Sequence, residues 1–86
     1  MISKDDILGL CELEEDEIDA IAEHEHIPEV AAAALGDYLM HQANGLTRVH
    51  EMIVDDIRDA LGRNDGVHAA SLYSTLQHFL VHHAAA

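Results

Sequence analysis

Eight histidines in 86 residues are the densest source of chemistry in this chain. The run Glu23-His24-Glu25-His26 contains Glu-x-x-His, with Glu23 and His26 at the i,i+3 spacing that helical di-metal carboxylate proteins use to present ligands. Such a site needs two of these motifs and two further carboxylates on facing helices. The nearest second copy is Asp65-Gly66-Val67-His68, which straddles a predicted helix start. His78 and His82 stand at i,i+4, a spacing that holds one metal between two imidazoles. They fall on a polar face with no carboxylate close by in sequence. Glu23, His26, His78 and His82 are therefore the candidate ligands for a divalent metal. The plainer reading, and the leading one, is a set of solvated surface histidines. A surface His-x-x-x-His binds zinc or nickel weakly whatever its biology.

Other chemistries find less support. Cys11 is the single cysteine, so no intramolecular disulfide forms, and Leu10 and Leu13 beside it suit a buried, inert thiol. Ser3, Ser71 and Ser74 lack the glycine-framed elbow of a nucleophilic serine, and no glycine pattern resembles a phosphate loop. Asp55-Asp56 beside Glu51 has the form of a paired-carboxylate site. The flanking apolar positions define another face as buried, so these acids are expected on the solvated side of their helix.

Charge sets the broad class. Seventeen acids face four bases, for a formal −13 with neutral histidines. Residues 1–29 hold eleven of those acids and one base, Lys4. Such a surface repels phosphate backbones, which excludes ordinary nucleic-acid binding. It suits an electrostatic docking surface for a basic protein partner, with steering that weakens as salt rises. Protonating all eight histidines would bring the charge from −13 to −5, so mild acid relieves much of the self-repulsion. The N-terminus has acids where a signal peptide needs a basic start, and the longest apolar run, Val30 to Leu35, falls far short of a membrane span of about 20 residues. A cytoplasmic protein is the expectation.

These residues must be positioned by helices, because no alternating strand pattern runs beyond a few residues. Ser3 caps a predicted first helix from Lys4 to about Leu10, and an acidic run leads into a second over Glu15–Glu25. Ile27-Pro28 ends it, since the residue before proline avoids the helical region. The third predicted helix, Pro28 to Asn44, is apolar on nearly every side, with Glu29, Ala33, Asp37, His41 and Asn44 as its single polar strip. A helix of that kind is expected to be buried at the centre of the domain. A fourth, from about Thr47 to Leu61, repeats Leu46, Val49, Ile53, Ile57 and Ala60 on one face, widened by Met52, Val54 and Leu61. Asp59 and Arg63 are placed to pair at i,i+4. After the turn Gly62-Arg63-Asn64-Asp65-Gly66, Asn64 or Asp65 caps a last helix over Val67–His83. Its apolar face is Ala69, Leu72, Tyr73, Leu76, Phe79 and Leu80, and its polar one Ser71, Ser74, Thr75, His78 and His82.

The string EHEHIPEVAAAALGDYL, followed by a helix–Gly-Arg-Asn-Asp-Gly–helix hairpin, resembles small helical proteins of proteobacteria that have no assigned function. The resemblance spans Ile7 to His82. It implies a standalone bacterial helical domain and transfers no activity or site. The expected fold is a single all-α domain, a bundle of about five helices: two short N-terminal ones, a buried central helix and a C-terminal hairpin. The expected function is that of a small acidic interaction or regulatory module without catalysis. A homodimer is also expected, since so short an aliphatic chain gains from an apolar interface. A metal-binding helical protein is the alternative.

Overall fold

A computed structural model describes residues 13–83 of the chain. The predicted helix over Lys4–Leu10, its Ser3 cap and Cys11 lie outside the described residues. Within them the fold is all helical, with four helices that correspond to the second to fifth predicted: α1 (Glu15–Glu25), α2 (Glu29–Met40), α3 (Gly45–Gly62) and α4 (Gly66–His83). Among the described residues no helix is long and apolar enough to cross a membrane.

The organising element is α3. It packs against all three other helices and most extensively against α4. Its stripe Val49, Met52, Ile53 and Ala60 is buried, as the periodicity predicts. Facing it are Ile18 and Ile21 of α1 and Leu72, Leu76 and Phe79 of α4, which complete one aliphatic core. Burying side chains of this size contributes about 1.5–3 kcal/mol each.

The expectation of a sheathed central helix at Pro28–Asn44 is overturned. α2 lies against α1 and α3, and its opposite side faces solvent: Tyr38 is 60% exposed and Val30 49%. Ala33, assigned to the polar strip, is buried with Ala32, Gly36 and Leu39. The small residues do allow close approach, but on one side only. A Cβ added at Gly36 would lie 2.6 Å from Leu13 Cδ1 and 3.3 Å from Ile21 Cδ1. The helix also ends at Met40 instead of Asn44, because the chain doubles back under it. Gly45 opens α3 so close to α2 that a Cβ there would sit 1.5 Å from the carbonyl oxygen of Leu39, which only glycine tolerates.

Smaller corrections concern single positions. Leu46, Leu61, Tyr73 and Leu80 are exposed, whereas Thr75 is buried, its hydroxyl donating to the Ser71 carbonyl at 3.3 Å. Asp65, not Asn64, caps α4, accepting the His68 N–H at 3.1 Å on Oδ1. Arg63 pairs with Asp59 at 3.6 Å, as the i,i+4 spacing predicts. Two acids occupy the core. Glu17 in α1 is 0% exposed and Asp56 in α3 is 4% exposed, the latter against the expectation of a solvated face for Asp55-Asp56. Glu51 and Asp55 do lie on that exposed face.

Candidate functional site: an acidic cleft with three histidines

The C-terminal half of α1, the second half of α3 and the start of α4 enclose a cleft of about 720 Å³. Each element supplies part of its lining. From α1 come Glu23 and His24, with His26 just past the helix end. Asp55, Asp56 and Asp59 come from α3 with Arg63 after it, and Asp65 and His68 line the third side. His26 ends α1 in the left-handed backbone region (φ 56°), a conformation in which histidine is among the better tolerated side chains. That sharp exit, followed by Ile27-Pro28, brings the motif to the mouth of the cleft.

The polar contacts run between elements. His68 Nε2 of α4 hydrogen-bonds Glu23 Oε1 of α1. His24 bridges two acids, with Nδ1 2.7 Å from Glu25 Oε2 and Nε2 3.3 Å from Asp55 Oδ2. Burial opposes protonation of His24, but its hydrogen bonds to Glu25 and Asp55 outweigh that and raise its pKa. Arg63 is already engaged by Asp59 at the rim.

Deeper in the cleft the carboxylates are not matched. Asp56 Oδ2 and Glu23 Oε2 are both buried with no hydrogen-bond partner among the described residues. Burial, followed by the charge of Glu23, pushes the Asp56 carboxyl up from 3.8 to about 7, and Asp55 and Asp59 add to the rise against the opposing pull of His24. An acid desolvated and surrounded by like charges either takes up a proton or is matched by a bound cation. The arrangement is chemically suited to holding a compact positive charge.

The four sequence-nominated residues fall in two places. Glu23 and His26 line the cleft, while His78 and His82 lie outside it on the exposed surface between α1 and α4. There they meet carboxylates that sequence proximity could not show: Asp16 at 3.3 Å from His78, and Glu14 at 3.9 Å from His82. Asp65-x-x-His68, set aside for straddling a helix start, is brought to the same cleft as Glu23-x-x-His26.

Asp56 is the functional candidate that sequence reasoning missed, though a signal was available. Val49, Ile53, Asp56 and Ala60 follow at spacings of four, three and four residues, the rhythm of one buried helix face. An acid in that series is anomalous. Comparison with protein-family models, with curated proteins and with solved structures found no match to this chain.

Proposed function

We propose that the chain is a small acidic interaction module, without catalytic activity of its own, that docks a basic protein partner in the cytoplasm. The observation that carries this reading is the segregation of charge over the fold. Residues 5–47, which include α1 and α2, contain no lysine or arginine. Their surface bears Glu14, Glu15, Asp19 and Glu25 exposed and Glu29 and Asp37 partly exposed. The carboxylates of Glu15, Asp19 and Glu29 gather within 4.8 Å of one another. Like charges on neighbouring helices create a field that steers a cationic partner and repels nucleic acid.

The test is capture from lysate at low salt, using the full chain and its Glu15→Lys/Asp19→Lys variant. The expected result is a specific basic protein, released as salt rises and not retained by the variant. Recovery of no specific partner, or capture indifferent to the charge reversal, would sink the reading. A second copy of the chain is a further partner, favoured by the exposed stripe Val30, Ala34 and Tyr38 along α2 at successive i,i+4 positions. Sedimentation would show a dimer that Tyr38→Glu dissociates; a monomer at high concentration would remove it.

A further inference from the structure

We propose that the floor of the cleft between α1, α3 and α4 is a binding site for one divalent first-row transition-metal ion, held by the carboxylates of Glu23 and Asp56 and the imidazole of His68. This inference stands apart from the basic-partner reading, which concerns the outer surface of α1 and α2.

Three observations converge on it. Asp56 is 96% buried from solvent, being 4% exposed, and lines the cleft with Oδ2 unpartnered among the described residues. Glu23 is in the same condition on its second oxygen: Oε2 is buried and unpartnered, while Oε1 is held by His68. Among the described residues, His26 and His68 also line the cleft, but His68 engages Glu23 only through Oε1, and nothing hydrogen-bonds Asp56 Oδ2 or Glu23 Oε2. Asp55, Asp59 and Asp65 are acids, His24 is shared between Glu25 and Asp55, and Arg63 is turned to Asp59. A dication bound between the buried Asp56 carboxylate and the half-buried Glu23 carboxylate supplies positive charge to both unpartnered oxygens.

The donor types choose the ion. An all-oxygen site favours calcium or magnesium, whereas an imidazole nitrogen beside two carboxylates suits zinc, iron, manganese or cobalt. Spacing makes a specific demand. Among the described residues, the group of three donors within 4.8 Å of one another is Glu15, Asp19 and Glu29, an outer-surface set without nitrogen. In the cleft, Glu23 and His68 must therefore open their hydrogen bond and draw in with Asp56 as the metal enters.

The experiment uses the full chain, stripped with chelator and titrated with Zn²⁺ and Co²⁺ as the metals alone. Calorimetry should give one ion per chain, and cobalt should show visible bands of a site with nitrogen and oxygen ligands. Asp56→Asn and His68→Ala should each weaken the Kd at least tenfold, with Ca²⁺ binding more weakly than Zn²⁺. The double variant His78→Ala/His82→Ala should bind as the parent does, separating the cleft from the surface histidine pair. Helical content by circular dichroism checks each fold, and Glu23→Gln replaces any variant that fails it. The proposal is overturned if no stoichiometric ion binds, if the cleft variants retain parental affinity, or if affinity falls only with His78 and His82.

Discussion

Glu17 is 0% exposed and Asp56 is 4% exposed, and each keeps one buried oxygen without a hydrogen-bond partner among the described residues. Their surroundings nevertheless differ in kind. Glu17 reaches back to accept the Glu14 N–H at 2.7 Å, the carboxylate arm of a capping box at the positive end of α1. Burial raises its carboxyl pKa overall, but the Glu14 hydrogen bond and then the charges of His83 and His82 from the end of α4 work against that rise. Asp56 sits inside α3 and caps nothing; burial and then the charge of Glu23 oppose its ionisation, with Asp55 and Asp59 adding to that against the opposing pull of His24. One acid is built into the architecture as a cap. The other is an acid the architecture alone does not reward, and this is what singles out the cleft.

The contrast is broken most directly by removing each charge from chelator-treated protein. Asp56→Asn should stabilise the fold at pH 8 by about 2–4 kcal/mol, since a displacement from 3.8 to about 7 corresponds to roughly three pKa units at about 1.36 kcal/mol each. Glu17→Ala also relieves a buried charge, but its structural losses should outweigh that relief and give the opposite sign. Losing the acceptor of the Glu14 N–H costs about 1 kcal/mol, and the void left in a packed position adds to that cost. Urea unfolding of both variants measures the pair. If Asp56→Asn destabilises as Glu17→Ala does, the two acids play the same structural part and the contrast fails.

A pH series sharpens it. Burial raises the Glu17 carboxyl above its ordinary 4.5, more than the Glu14 hydrogen bond and the charges of His83 and His82 lower it, with Asp16 adding to the rise. The folded state therefore holds this proton to higher pH than the unfolded state does. Its contribution is full below 4.5 and is lost as pH rises through the elevated folded value. Glu17→Gln cannot titrate, so its stability relative to the parent should rise across that window and then level off. Melting curves of the two proteins from pH 4 upward check this. A constant difference would show that Glu17 is unshifted.

The fold was legible where apolar residues recur against polar ones. Val49, Met52, Ile53 and Ala60, and likewise Leu72, Leu76 and Phe79, were readable as core because each helix carries a polar face that excludes the alternatives. α2 was misread because alanine is indifferent: a run of small apolar residues reveals what a helix can bury, not how many neighbours it has. Ala31 and Ala34 are exposed at little cost, while Ala32 and Ala33 are buried. The cleft was half legible. Glu23 and His26 announced themselves by spacing, but joining them to His68 requires the antiparallel return of α4 over 45 residues of chain. Asp56 was hidden by its neighbour, since Asp55-Asp56 reads as one hydrophilic pair although consecutive helical residues point about 100° apart.

The smallest expected effect compares the two ends of the contact between α1 and α4. That contact carries a histidine–carboxylate pair at each end: Glu23 with His68 beside the cleft, and Asp16 with His78 toward the start of α1. Side chains of the first pair are 32% and 37% exposed, those of the second 41% and 60%. Solvent screening and side-chain entropy leave an exposed pair worth about 0–0.5 kcal/mol, so His78→Ala should shift stability by no more than that. His68→Ala should cost more, about 1 kcal/mol, because it removes the hydrogen-bond partner of a half-buried Glu23 carboxylate. Thermal melts of the two variants at neutral pH and two salt concentrations decide the order. If His78→Ala proves the costlier, the joint between α1 and α4 is anchored at the outer end, and the cleft pair is free of structural duty.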